Sequence, residues 1–289
     1  MDLTREINDE QAKLWNGPAG HGWVEVQGTL NQMFKPFEDL LAEAVARGPG
    51  SRVLDIGCGT GSTTVAAARA LGAKGHCVGI DISEPMLAAA RSRAQQEGVP
   101  VRFIRADAQT HVFEPPGFDT LISRFGVMLF DDPVAAFTNL RRAARDGSGL
   151  QFAAWRSAAE NPFMTTAERA AAPLLPDIPP RRPDVPGQFA FADQNRVYRI
   201  LDESGWSEID IQPLDMPCTF PEQELVSLIT QTGPVGRIIR EADERTRTQV
   251  VEAVRACCDP YIHGAEVRFV AACWMVGARA LRAGALQSR

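Results

Sequence analysis

Residues 53–61, Val-Leu-Asp-Ile-Gly-Cys-Gly-Thr-Gly, decide the fold of this chain. They read as an apolar strand that runs directly into three glycines at alternate positions. A second apolar strand, 77–80, ends in Asp81. Glycine lets the backbone approach a ligand closely, and an acid at the tip of the neighbouring strand accepts hydrogen bonds from ribose hydroxyls. The stretch therefore predicts a nucleoside-binding crevice.

Composition bounds the class of protein. With 289 residues, 45% hydrophobic and 23% charged, the chain is expected to form one large globular domain with embellishments. A formal net charge of −6 disfavours a nucleic-acid partner, because phosphate binding needs clustered Lys and Arg. The polar start and the lack of a long apolar run predict a cytoplasmic protein without a membrane partner. Six cysteines without a C-x-x-C pair predict reduced thiols and no metal.

Strand and helix patterns alternate between residues 51 and 154. The predicted strands are 52–56, 76–80, 101–105, 118–123 and 149–154, and the predicted helices are 62–71, 84–97 and 132–144. Ser83 and Asp132 are predicted to cap two of these helices, each ahead of a proline in the first turn. Alternation of this kind requires right-handed crossovers and a parallel sheet with helices on both faces.

Outside this region the pattern changes. Residues up to 48 read as helical, although 15–23 is too rich in glycine for one continuous helix. Prolines between 172 and 187 exclude a helix or a central strand there. The remaining predicted elements are a helix at 193–204, a strand at 207–214, helical periodicity over 222–257 and an apolar strand at 267–278.

The chain is expected to close its sheet with a late strand-to-strand return and not with another helix crossover, which predicts an antiparallel last strand. The fold class is α/β: a doubly wound, Rossmann-like, seven-stranded sheet with an antiparallel last strand, plus a helical cap. The predicted organisation is an N-terminal helical lid, 1–50; an α/β core of 51–156, 193–216 and 266–280; and cap insertions of 157–192 and 217–265.

The motif Gly57-x-Gly59-x-Gly61 resembles motif I of the class I S-adenosylmethionine-dependent methyltransferases, in particular the bacterial small-molecule group. The resemblance is best over 51–155 and looser over 15–23 and the C-terminal half. A dinucleotide fingerprint would need glycine or alanine at position 62, where Ser62 stands.

The resemblance implies S-adenosylmethionine as cofactor, with S-adenosylhomocysteine as product and no metal. It assigns Asp81 to the ribose hydroxyls, Asp107 with the next backbone amide to adenine, and Asp55 to the glycine loop and the methionyl ammonium. Arg124 either pairs an anion of the cofactor or substrate or forms a salt bridge with the N-terminal segment. The implied cofactor-binding residues are Trp15, Gln27, Asp55, Gly57, Cys58, Gly59, Gly61, Asp81, Ile82, Met86, Asp107, Ala108, Gln109, Ser123 and Arg124.

The acceptor side is less defined, because transfer from an activated sulfonium needs orientation and a dry site more than a fixed catalytic group. A base is needed only for some acceptors, and His21 and His263 are the candidates, with Arg124 as a further catalytic candidate. Trp23 is either an acceptor contact or ordinary helix packing. The predicted acceptor-binding residues are Trp23, Phe125, Trp155, Asn161, Phe163 and Tyr261.

The function predicted is methyl transfer to a small, apolar or aromatic metabolite in secondary metabolism, by a monomer or homodimer. The methylated atom (O, N or C) stays open. One alternative is an NAD(P)-dependent oxidoreductase, against which Ser62, Asp107 and the antiparallel last strand weigh. The other alternative is a non-catalytic S-adenosylmethionine-binding protein, which differs in lacking an organised acceptor pocket.

Overall fold

A mixed β-sheet forms the centre of the protein. The structure, a computed structural model, describes residues 3–48, 50–115, 117–179, 181–182 and 185–281. Within these residues the strands are β1 Arg52–Ile56, β2 His76–Asp81, β3 Val101–Arg105, β4 Phe118–Arg124, β5 Ala144–Trp155, β6 Ser207–Pro221, β7 Ile262–His263 and β8 Glu266–Arg279.

The strand order is β3-β2-β1-β4-β5-β8-β6. Strands β1 to β5 pair in parallel, whereas β8 is antiparallel to both β5 and β6. The predicted doubly wound sheet with an antiparallel last strand is confirmed. The two-residue strand β7 pairs with β8 and adds an eighth strand to the seven predicted ones.

Helices cover the sheet and continue into the N-terminal and C-terminal segments. They are α1 Leu3–Asn16, α2 Pro18–Glu25, α3 Gln27–Met33, α4 Lys35–Arg47, α5 Ser62–Leu71, α6 Glu84–Gln96, α7 Pro133–Ala143, α8 Pro162–Ala171, α9 Gln194–Glu203, α10 Leu225–Gln231, α11 Gly233–Ile239 and α12 Glu244–Cys258. The side chains of Ser83 and Asp132 accept hydrogen bonds from the first turns of α6 and α7, as predicted.

Both faces of the sheet are buried, because successive strand residues point to opposite sides. Val53 of β1 packs with Leu41 of α4 in one hydrophobic cluster. Its neighbour Leu54 belongs to a larger cluster that includes Phe137 of α7 and Phe152 of β5. All five side chains are at most 1% exposed, so helices on both faces exclude water from the sheet.

The structure departs from the sequence pattern after residue 144. Strand β5 begins at Ala144 instead of 149, and β6 continues to Pro221 instead of 214. Pro213 and Pro217 argue against a strand, but β6 lies at the sheet edge, where a missing N–H costs no ladder bond. The helical region 222–257 divides into α10, α11 and α12, and α8 lies within the proline-containing insertion.

Candidate active site

A cavity of about 1150 Å³, continuous with solvent, lies at the carboxyl ends of β1 to β4. Ligands of open α/β sheets bind at this edge. The lining residues come from the strand ends and from the N-terminal helices: Gln11, Trp15, Trp23, Leu30, Asn31, Phe34, Asp55, Ile56, Gly57, Cys58, Gly59, Thr60, Thr63, Ile80, Asp81, Ile82, Met86, Ala106, Asp107, Ala108, Arg124, Phe125, Gly126, Leu129 and Phe130.

The glycine loop after β1 approaches the loop after β4 backbone to backbone. Gly57 has φ +63°, and a Cβ built there would lie 2.7 Å from the Cα of Gly126. Gly59 has φ +55°, and its Cβ would lie 2.9 Å from the terminal methyl of Met86. Both positions combine a left-handed backbone with close neighbours, so a side chain at either one would force the loop to shift.

Two carboxylates stand at the same edge. Asp81, at the end of β2, accepts hydrogen bonds from the backbone N–H of Gly59 and of Ser83, each at 2.8 Å. Burial raises the pKa of Asp81, and these hydrogen bonds oppose the rise. Asp107 follows β3 and accepts a bond from the backbone N–H of Gln109 at 2.9 Å. Asp81 thereby ties the glycine loop to the start of α6 while its carboxylate faces the cavity.

The deepest charged group in the cavity is Asp55, which is 1% exposed. Thr64 donates its hydroxyl hydrogen bond to Asp55 Oδ2 at 2.6 Å. Burial raises the pKa of the Asp55 carboxyl from 3.8 to about 7, although Thr64 and the charge of Arg124 oppose the rise. The Arg124 Nη1 and the Thr63 hydroxyl are enclosed and have no hydrogen-bond partner among the described residues. This end of the cavity therefore offers one carboxylate and two unused donors.

An aromatic wall faces these polar groups. Phe125 has φ +65°, a strained conformation for a residue with a side chain. Its ring stacks on Trp155, with centroids 4.8 Å apart, and meets the ring of Phe34 edge-on at 5.2 Å. Across the cavity mouth, Trp15 and Trp23 meet edge-on at 5.8 Å. Packing thus holds Phe125 in a costly conformation that places it on the cavity surface.

The structure brings thirteen of the predicted site residues to the cavity and leaves ten outside its lining. Those that line it are Trp15, Trp23, Asp55, Gly57, Cys58, Gly59, Asp81, Ile82, Met86, Asp107, Ala108, Arg124 and Phe125. Those that do not line it are His21, Gln27, Gly61, Gln109, Ser123, Trp155, Asn161, Phe163, Tyr261 and His263.

Several of these residues lie outside the cavity lining and make contacts that hold neighbouring segments in place. Gln27 accepts a hydrogen bond from Arg93, and Gln109 accepts one from the backbone N–H of Asp132. The Ser123 hydroxyl donates to the carbonyl of Ile56. Gly61 begins α5. Trp155 is buried behind Phe125 and does not face the cavity.

The remaining outlying residues lie in other parts of the molecule. His21 and His263 are exposed, so neither imidazole is in place to act as a base in the cavity. Asn161 is buried, and its amide donates to the carbonyl of Ala272 while accepting from the N–H of Ala272. Phe163 and Tyr261 pack edge-on against each other, with ring centroids 5.0 Å apart. Their surroundings are those of structural residues, in contrast to the acceptor contacts predicted.

Sequence reasoning missed Leu30, Asn31 and Phe34, which line the cavity from α3 and its end. The periodicity of this segment reads as one helix, but the structure divides it at Phe34. Pro36 in the first turn of α4 is the signal that could have shown the division, because proline is favoured at helix starts. The turn at Phe34 directs α3 across the cavity.

Hydrogen bonds fasten the N-terminal helices to the loop that follows Asp81. The Asn16 side chain donates to the carbonyl of Ile82 at 3.1 Å and accepts from the backbone N–H of Glu84 at 2.9 Å. The Ser83 hydroxyl donates to the carbonyl of Trp15 at 2.6 Å. Asn16 is therefore a positioning residue that links the first helix to the β2–α6 loop.

We expect Asn16→Ala to weaken S-adenosylhomocysteine binding about tenfold, because two hydrogen bonds that order the Asp81 loop are lost. Calorimetric titration measures the change. Asn161→Ala is the matched control, since it removes an amide that bridges backbone groups outside the cavity; it should lower the melting temperature and leave the affinity unchanged. Equal affinities for wild type and Asn16→Ala would contradict the positioning role.

A strand order of this kind, with a glycine loop after β1 and acids after β2 and β3, defines the class I methyltransferase fold. Residues 47–205 match the family model described as a methyltransferase domain, which is more than half of the chain. The chain belongs to this methyltransferase family. The predicted family is thus confirmed, and it favours methyl transfer over the oxidoreductase alternative.

Two curated proteins and one solved structure are similar to this chain. An uncharacterized protein of Mycobacterium tuberculosis is 32% identical over 154 residues, covering 53% of this chain and 52% of that protein. A demethylmenaquinone methyltransferase of Renibacterium salmoninarum is 27% identical over 184 residues, covering 61% of this chain and 75% of that protein. The YcgJ protein of Bacillus subtilis matches in fold, with a TM-score of 0.56, 17% identity and coverage of 85% and 98%. The match to the Mycobacterium tuberculosis protein spans about half of that protein's length.

The described residues were compared with what a membrane-spanning helix and a metal site require in helix length and side-chain grouping. None of the helices in these ranges is long and apolar enough to cross a membrane. Among the same residues there is no group of three or more His, Cys, Asp or Glu side chains arranged to hold a metal ion.

Proposed function

We propose that the protein transfers a methyl group from S-adenosylmethionine to a small, apolar or aromatic acceptor. The observation that carries this proposal is that one cavity holds the glycine loop, both strand-end acids and an aromatic wall. The polar half suits a nucleoside joined to an amino acid. The aromatic half suits a second, apolar molecule next to it.

The described residues fit the cofactor. Gly57 and Gly59 line the cavity without side chains, so their backbone is open to contact with a ligand. The Asp81 carboxylate would accept hydrogen bonds from the ribose hydroxyls, and Asp107 with the amide of Ala108 would bind adenine; all three residues line the cavity. When bound, S-adenosylmethionine supplies a methyl group already activated as a sulfonium.

The amino-acid end of the cofactor fits the deep end of the cavity. Asp55 would pair with the ammonium group, while the unpartnered Arg124 Nη1 and Thr63 hydroxyl would bind the carboxylate. A buried donor without a partner is costly, so a ligand that supplies two oxygens relieves this cost. The alternative for Arg124 was a salt bridge with the N-terminal segment. In the structure the negative charge of Glu38 in α4 acts on Arg124.

The residues around the reacting centre orient and enclose the reactants. Trp15 and Trp23 close the mouth, and their rings can also stabilise a nearby positive charge by cation–π attraction. Phe34 and Phe125 present apolar faces to the acceptor. Exclusion of water by these rings strengthens the polar contacts at the other end of the cavity.

We propose that residues 1–50 act as a lid and that 157–192 and 217–265 form the cap around the α/β core. A cytoplasmic location, a monomeric or homodimeric state and a role in secondary metabolism stay predictions. The test of the function is direct: the purified protein is incubated with S-adenosylmethionine and a panel of small acceptors, and formation of S-adenosylhomocysteine is measured. Product formation that requires both an acceptor and an intact Asp81 supports the proposal.

We expect S-adenosylhomocysteine affinity to rise with pH, with its midpoint near 7, because the ammonium group pairs with ionised Asp55. Burial raises the pKa of this carboxyl, so it is protonated and cannot form the ion pair below the midpoint. Binding below pH 7 should also release a proton, which calorimetry in buffers of different ionisation enthalpy detects. Asp55→Asn should remove the pH dependence; an unchanged profile in that variant would exclude Asp55 as its source.

A further inference from the structure

The acceptor half of the cavity is apolar and built from flat rings. Trp23, Phe34 and Phe125 line it together with Leu30, and Asn31 contributes a polar side chain. Leu30 and Phe34 are at most 5% exposed, whereas Asn31 is partly exposed to the cavity. Flat apolar rings of this kind suit a planar apolar molecule, and Asn31 is a polar neighbour in the same lining.

The unused polar groups of this region are mainly donors. Neither the Trp23 indole N–H nor the Asn31 amide makes a hydrogen bond with another described residue. A site that offers N–H groups favours a molecule that presents an oxygen, above all a negatively charged one.

Among the described residues, the titratable groups of the cavity lining are already engaged by the protein or, in the proposed function, by the cofactor. Its titratable lining residues are Asp55, Cys58, Asp81, Asp107 and Arg124, with Glu38 facing Arg124 from α4. The three aspartates already accept hydrogen bonds from the protein. Burial raises the pKa of the Cys58 thiol, which disfavours the thiolate, and Arg124 is a cation. A phenol with a pKa of about 10, like that of tyrosine, would therefore keep its proton at neutral pH.

We propose that the acceptor is a flat phenol or enol acidic enough to enter as its oxyanion, held by the N–H groups of Asn31 and Trp23. This inference rests on the proposed function. The proton leaves to solvent before binding. The oxyanion then displaces the methyl group: an O–C bond forms, the S–C bond breaks, and its electron pair stays on sulfur, which becomes a neutral thioether.

The test uses two probes of matched shape, 4-nitrophenol and 4-nitroaniline, titrated into the full-length protein saturated with S-adenosylhomocysteine. Absorbance reports whether the bound phenol is ionised. We expect 4-nitrophenol to bind as the phenolate, at least about tenfold more tightly than 4-nitroaniline. With S-adenosylmethionine, its conversion to the methyl ether should follow the ionised fraction of the probe as the pH changes.

Variants at Asn31 make the test specific. Asn31→Leu should weaken 4-nitrophenol binding about tenfold, and Asn31→Asp should weaken it further by repulsion while sparing 4-nitroaniline. Asn195→Leu, an exposed change on α9 outside the cavity, is the control. Binding of 4-nitrophenol in its protonated form, equal binding of the amine, or no binding of the phenol would overturn the proposal. Failure of S-adenosylhomocysteine itself to bind would instead overturn the proposed function.

Discussion

Gly57→Ala is expected to abolish S-adenosylhomocysteine binding. A methyl group at this position would lie 2.7 Å from the Cα of Gly126, and the backbone at Gly57 is left-handed, with φ +63°. Neither loop can move away without changing the end of β1 or β4, because the two strands pair side by side. The loop must therefore shift into the space where the cofactor would bind. Calorimetric titration of the folded variant measures the loss.

Gly147→Ala separates backbone strain from loss of the site. Gly147 is also left-handed, with φ +82°, but nothing lies within 4 Å of a Cβ built there. Strain of this kind costs about 1–2 kcal/mol in either variant. Both proteins should therefore unfold at lower temperature, whereas only Gly57→Ala should lose binding. Wild-type affinity in Gly57→Ala would show that the cofactor lies elsewhere.

Asp81→Ala is expected to weaken S-adenosylhomocysteine binding by about 1.5–3 kcal/mol, or about ten- to a hundredfold, because a charged acceptor of ribose hydrogen bonds is removed. The variant also frees the backbone N–H groups of Gly59 and Ser83, which adds to the loss. Dissociation constants from calorimetry give the magnitude.

Asp193→Ala is the matched control, since Asp193 also caps a helix with its carboxylate but lies outside the cavity. It should change stability and not affinity. Asp81→Asn keeps the shape and one carbonyl oxygen, so its affinity should fall between those of wild type and Asp81→Ala. If both Asp81 variants bind like wild type, Asp81 has no part in cofactor binding.

The polar half of the candidate site could be predicted because parallel strands deliver their ends to one edge of the sheet. Gly57, Asp81 and Asp107 each follow an apolar strand that the sequence marks clearly, so their meeting follows from the topology. The same logic predicted the doubly wound parallel sheet and its antiparallel last strand. A local sequence pattern is therefore enough to locate a residue in the fold when that residue stands at the end of a strand.

The acceptor half could not be predicted in the same way. Phe125 faces the cavity because its backbone is left-handed, a conformation that phenylalanine rarely adopts and that only its surroundings maintain. That conformation puts Trp155 behind it, although the sequence placed Trp155 on the cavity surface. Asn161 bonds to Ala272, 111 residues away, a contact that no local pattern encodes.

The most direct test of the account is calorimetric titration of the wild-type protein with S-adenosylhomocysteine and, separately, with NAD. The account predicts one saturable site for S-adenosylhomocysteine that Gly57→Ala eliminates, and no heat of binding with NAD. Binding of NAD without binding of S-adenosylhomocysteine would contradict it and assign the glycine loop to a dinucleotide.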